Sequence, residues 1–177
     1  MNTHLELEAL PHPDPQVRRI GFDLTDPYVE QCWGAVIGPS GIAILRRLPV
    51  LWTQEMPARI PADEFARTLG LGPGAGAGQN SRFHRALDRL THFRLAEWVE
   101  PATTFGVYTE VGPLTAHQLA RQPEWTRAAH ERLLGGHLDH IATGQDLTAQ
   151  VTEITSRLDR LQHGTPQPLP PSRALGR

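Results

Sequence analysis

Residues 79–111, QNSRFHRALDRLTHFRLAEWVEPATTFGVYTEV, constrain the fold more than any other part of this chain. Phe83, Ala86, Leu87, Leu90 and Phe93 recur at helical spacing, which predicts an amphipathic helix from Asn80 to Phe93. Arg82, Arg85, Arg89 and His92 share another flank, because a helix turns by about 100° per residue. Asn80 or Ser81 supplies the N-cap, a short polar side chain that accepts from the unpaired N–H groups of the first turn. Leu95–Val99 and Phe105–Val111 then predict two strands joined by a turn at Glu100–Thr104. The segment is therefore a helix sealed on one side, cationic on another, and followed at once by a hairpin.

Upstream, residues 61–69 predict a second helix, PADEFARTL, with Gly70 closing it. A first helix is expected from Ser40 as cap, burying Ile42, Leu45, Leu48 and Trp52. Pro49 lies inside that pattern; an interior proline costs about 3 kcal/mol, so an end or a kink is expected there. Before it, Asp26-Pro27 reads as the start of a helix running to about Trp33, with a break between Gly34 and Pro39.

Residues 40–111 resemble a winged helix-turn-helix domain of the kind found in bacterial DNA-binding regulators. Ser81 near the helix start, Leu87 and Leu90 three apart, and the apolar pair Leu95-Ala96 opening the wing carry the resemblance. So does the helix over 61–69, whose small Ala66 permits close approach. The resemblance implies a mostly α domain of α+β type, with a two-stranded wing and appended C-terminal helices. It also implies that helix 80–93 enters the major groove while helix 61–69 braces it. Arg82 and Arg85, near the helix start, are then the expected base contacts, and Arg89 and Arg94 the phosphate contacts, with His92 on the same face. Gln79, Asn80 and Ser81 are expected to bond phosphate or base. Two departures stand out. The family usually ends its recognition helix on a Gly, where this chain has Arg94, and the turn between the two helices is long and glycine-rich, from Gly70 to Gly78.

Charge is the main objection to a polyanionic partner. The chain carries a formal net charge of −2, with 17 basic residues, all arginine, against 19 acidic ones. Residues 79–96 nonetheless hold Arg82, Arg85, Arg89 and Arg94 against Asp88 alone. Such a patch binds DNA with steep salt dependence, and guanidinium forks onto phosphate and guanine better than ammonium does. The expected wing tip, Glu100 to Thr104, has no cation. That favours the rival reading, a winged helix used for protein–protein contact without DNA.

Other chemistry finds no pattern. The glycine loop GLGPGAGAGQNS lacks the Lys-Ser/Thr that a phosphate loop needs, and no apolar strand leads into it. His130, His137 and His140 lack a known ligand pattern, so neither metal nor cofactor is expected. No catalytic constellation stands out, and the protein is read as a non-enzyme. Cys32 is alone, so no internal disulfide forms and the reducing cytoplasm is the expected compartment. No uninterrupted apolar run approaches a membrane span, and no secretory signal is read at the N-terminus.

The domain plan follows. Residues 1–20, with Pro11, Pro13 and Pro15, read as a flexible tail, and 21–111 as the winged-helix domain. Residues 112–162 read as a helical extension in which Leu119, Trp125, Ala128 and Leu133 close over the wing. Helices are expected from Thr115 to Gln122 and from Pro123 to about Thr143. Leu147, Val151, Ile154, Leu158 and Leu161 then form a heptad seam that offers homodimerisation through 146–162. Residues 163–177 read as a disordered Pro-rich tail.

Overall fold

Leu5 and Leu7 alternate with Glu6 and Glu8, the period-two pattern of a half-buried strand, and β1 spans His4–Leu10. The computed structural model describes residues 4–72 and 81–163, with 146–163 as backbone alone. β1 lies inside a four-stranded sheet of order β3-β1-β5-β4, in which β3 is Ala58–Pro61, β4 is Ala96–Glu100 and β5 is Thr104–Tyr108. Leu7 faces Ala58 on antiparallel β3 and Phe105 on parallel β5. Leu5, Leu7, Phe105 and Val107 are buried on one face of this sheet. The pleat turns Glu6, Glu8 and Glu97 to the other face, where Glu6 pairs with Arg59 at 3.1 Å. A second, two-stranded sheet joins β2 (Phe22–Asp23) to β6 (Glu110–Val111).

Residues 4–20 are thus not part of the flexible tail expected over 1–20; residues 1–3 lie outside the described residues. After β1 comes helix α1, Pro15–Ile20, with the Asp14 carboxylate accepting the Gln16 N–H at 2.8 Å. The alternating prolines end a strand and open a helix: Pro15 occupies the first turn, where its missing N–H costs nothing.

Asp26 caps the next helical stretch, its carboxylate accepting the Tyr28 N–H at 2.7 Å. A π-helical turn, Val29–Trp33, runs into α2, Gly34–Trp52. The expected break is confined to Gly38, at φ 79° and ψ 169°. Pro39 takes the first helical position beyond it, so Ser40 sits within the turn rather than capping it. Pro49 lies in the last turn, and the helix ends at Trp52. By length and composition Val29–Trp52 is apolar enough to cross a membrane, although Glu30, Arg46 and Arg47 interrupt any continuous apolar run. In the fold it is a core helix: Val36, Ile37, Ile44, Leu45 and Leu48 are buried, and it packs on α4, Arg82–His92. Helix α3, Ala62–Thr68, buries Phe65, which meets Phe83 of α4 edge-on at 5.7 Å.

Two compact units divide the chain, Met1–Leu138 and Asp139–Arg177. The first reaches beyond the expected 21–111 domain at both ends. Helix α5, Ala116–Ala120, carries a full capping box between Thr115 and Gln118. Helix α6 runs from Glu124 to His163, where the sequence predicts an interruption near Thr143. Within the first unit, Thr126 and Ala129 of α6 are buried. His130 Nδ1 lies 2.6 Å from the Tyr28 hydroxyl. His137 donates from Nε2 to the Ile20 carbonyl at 3.2 Å and stacks on Phe22 at 4.2 Å. This face runs 126, 130, 133, 137, at spacings of four and three, with 129 beside it. Two members of the expected covering set, Trp125 and Ala128, are therefore out of phase by one residue. Leu119 and Leu133 do pack on the core, but Trp125 is 65% exposed and Ala128 faces solvent. The second unit is helical to His163. The side chains of the expected heptad seam and the expected tail from 164 lie outside the described residues. Together these elements make a mixed α+β protein.

Candidate nucleic-acid interface

Ser81 starts α4. Its Oγ accepts the His84 N–H at 3.1 Å and bonds His84 Nδ1 at 2.8 Å. Phe83, Ala86, Leu87 and Leu90 are buried, as their spacing predicts. The helix ends in a Schellman motif: Arg94 donates to the Thr91 carbonyl at 3.0 Å and Leu95 to the Leu90 carbonyl at 2.9 Å. Arg94 takes φ 56° to make this turn, and Leu95 and Leu90 are both buried in the core. Arg94 thus adopts a conformation that glycine takes more readily.

Arg82, Arg85 and Arg89 are all exposed. They line, with Ile37, Gly38, Pro39, Ser40 and Ala86, an open cleft of about 270 Å³. The cleft exists because α2 packs on α4 and then breaks at Gly38, which leaves one wall of backbone and small side chains. Among the described residues no carboxylate lies within 4.0 Å of these three guanidinium groups; ion pairs form instead at Arg46–Glu30, Arg59–Glu6 and Arg67–Asp63.

His92 and Arg94 do not join that cleft. Both line a separate cavity of about 310 Å³ with His12, Trp33 and Gly112. Arg94 also stands beside Tyr108. Burial pushes the Tyr108 phenol above its ordinary range, its hydrogen bond to Glu97 at 2.8 Å adds to that, and the Arg94 charge opposes it. The single arginine–histidine stripe expected on α4 is therefore divided between two concave surfaces.

The remaining expected contacts fare differently. Gln79 and Asn80 lie outside the described residues. Ser81 is only 8% exposed and its hydroxyl is spent on the cap, so it is not presented to a partner. At the hairpin turn Ala102 takes φ 62°, and the Thr103 hydroxyl donates to the Glu100 carboxylate at 3.2 Å. One residue enters the cleft that the sequence pattern does not place there, Ser40, and another, His84, completes the cap of α4. Ser40 is expected as a cap, although the Gly-Pro-Ser run already marks a bend. His84 stands three residues after Ser81, where a capping box usually carries Glu or Gln.

His130 and His137 serve the packing of α6, and among the described residues no group of three or more His, Cys, Asp or Glu side chains is placed to hold a metal ion. Compared with protein-family models, curated proteins and solved structures, the chain matches none.

Proposed function

We propose that the protein is a sequence-specific DNA-binding protein of winged-helix type, a cytoplasmic bacterial transcriptional regulator that acts without chemistry. The observation that carries this reading is the α4 flank. Arg82, Arg85 and Arg89 project from a helix whose other side is sealed in the core, and no carboxylate neutralises them among the described residues. Guanidinium groups left free and close together are suited to phosphates and guanines. The order of elements supports the same reading: α2, β3, α3 and α4, then the hairpin of β4 and β5, give a helix, a strand, two helices and a wing. β1, inserted between β3 and β5, adds a strand to that plan. Net acidity is no bar where charge is segregated, with Glu6, Glu8 and Glu97 on the outer sheet face. On this reading α4 meets the major groove and α3 braces it. Pairing of two chains through 146–162 would give a near-palindromic target with half-sites spaced by helical turns.

The test is a mobility-shift assay on genomic fragments at low salt, with an Arg82→Ala/Arg85→Ala double variant beside the natural protein. Binding that vanishes in the variant is expected; equal binding by both would count against the reading.

A second reading, a winged helix docking another protein, is favoured by the cation-free hairpin turn and by Trp125, which is 65% exposed. Heparin separates the two. The DNA reading expects salt-sensitive retention that disappears in the arginine variant, and the docking reading expects no retention.

A further inference from the structure

Arg82, Arg85 and Arg89 stand three and four residues apart, a spacing at which like charges destabilise a helix. Nothing among the described residues offsets that cost with an ion pair. The same three residues line the cleft together with Gly38, Pro39 and Ser40, and the half-buried Ser40 hydroxyl makes no hydrogen bond among the described residues. A concave site with three guanidinium groups, a free hydroxyl and no carboxylate is built for an oxyanion. Its shape separates phosphate from base. A stacked base edge lies at the floor of a groove and cannot enter a recess, whereas a backbone phosphate protrudes from the duplex and can.

We propose that this cleft is a seat for one phosphate-class oxyanion, supplied by the DNA backbone and held by Arg82, Arg85 and Arg89 with Ser40. The proposal rests on the DNA-binding reading and refines it. Arg82 and Arg85, which their place near the helix start marks for bases, instead set the register of the protein on the duplex, a contact that carries no sequence information by itself.

Ser40→Asp tests the seat without touching α4. It sets a carboxylate among the guanidinium groups, and an acidic side chain in a first helical turn favours the helix, so the fold is retained. Arg89→Gln is the companion variant, at an exposed position. Fluorescence polarisation of a selected duplex and a random duplex, each over a salt series, is the readout. Both variants are expected to weaken both duplexes by the same factor, about tenfold or more, and to lower the slope of log K against log salt by about 0.9. Unchanged affinity in both variants would overturn the seat, and so would a loss confined to the selected duplex, which would make the cleft a base reader. If the natural protein binds neither duplex, the DNA reading fails separately, and inorganic phosphate decides the rest. At constant ionic strength, saturable amide shifts at Gly38, Ser40 and Gly41 that vanish in Ser40→Asp would keep the seat but overturn the duplex as its source. No shifts would overturn both.

Discussion

Arg94 ends α4 in the same way that Gly70 ends α3. Gly70 takes φ 70° and donates to the Arg67 carbonyl at 3.0 Å, and Leu71 donates to the Ala66 carbonyl at 2.9 Å. Arg94 takes φ 56° and repeats the pattern with Thr91, Leu95 and Leu90. The geometry is shared, but only one of the two residues lacks a Cβ to strain it.

Arg94→Gly should therefore stabilise the protein. Relief of the left-handed strain is worth about 1–2 kcal/mol, offset in part by the greater freedom of glycine in the unfolded chain. A net gain of about 0.5–1 kcal/mol in urea unfolding is expected. The same variant should bind duplex DNA more weakly if Arg94 contacts a phosphate. More stable and weaker-binding together would identify a strained residue kept for its charge; a variant less stable than the natural protein would refute the strain argument.

Tyr28 is the second pivot. It is fully buried, stacks on Phe22 at 3.9 Å, accepts the Leu114 N–H at 2.9 Å and bonds His130. Tyr28→Phe keeps the stack but strands a buried backbone N–H, at a cost of about 1–3 kcal/mol. Equilibrium unfolding in urea measures it, and a change below about 0.5 kcal/mol would show that the hydrogen bond is dispensable.

Alkaline pH should unfold the protein through the same region. Burial pushes the Tyr28 phenol from an ordinary 10.0 to about 12 and the Cys32 thiol from 9.0 to about 11. The folded state then holds protons that the unfolded chain releases. Stability is unaffected below about pH 9, falls first as unfolded Cys32 ionises and then as unfolded Tyr28 does, and levels off near pH 12. Two units correspond to roughly 2–3 kcal/mol for each group. Unfolding free energies measured from pH 8 to 11.5 give the slope. Cys32→Ala should remove the earlier part of the decline, and a flat profile in the natural protein would contradict the burial of both groups.

The sequence is most legible where the period is strong and local. Phe83, Leu87 and Leu90 announce α4, and Ala96 to Tyr108 its hairpin, because each pattern is read within a single element. β1 hides in plain alternation. Leu5 and Leu7 mark a strand, but Pro11, Pro13 and Pro15 point toward disorder, and its partners at 58–61 and 104–108 are brought to it only by long-range pairing. The phase of α6 is misleading because Trp125 is the most apolar candidate locally, whereas contacts with Tyr28, Phe22 and Ile20 choose the face that holds His130 and His137. At the site, the residues of the cationic flank are all visible in the helical spacing. Their division between two concave surfaces is not, because it depends on where the Gly38 break in α2 meets α4.

Trp125 gives an independent check on that phase. It is exposed, while Ala129 is buried. Trp125→Ala should change stability by less than about 0.5 kcal/mol, as surface substitutions do. Ala129→Leu should destabilise by about 1–3 kcal/mol through overpacking. Thermal melts of both variants decide it, and the reverse ranking would place Trp125 in the core.

The most direct measurement is the salt dependence of duplex binding by the natural protein and by Arg82→Ala/Arg85→Ala, followed by fluorescence polarisation from low to physiological ionic strength. If these arginines meet the backbone, the natural protein binds with a steep negative slope of log K against log salt. The double variant then binds more weakly, with a slope shallower by about 0.9, the share of the one phosphate that loses its arginines. Duplex binding of equal strength and equal slope in the two proteins, or none in either, would contradict the assignment of the α4 flank to DNA.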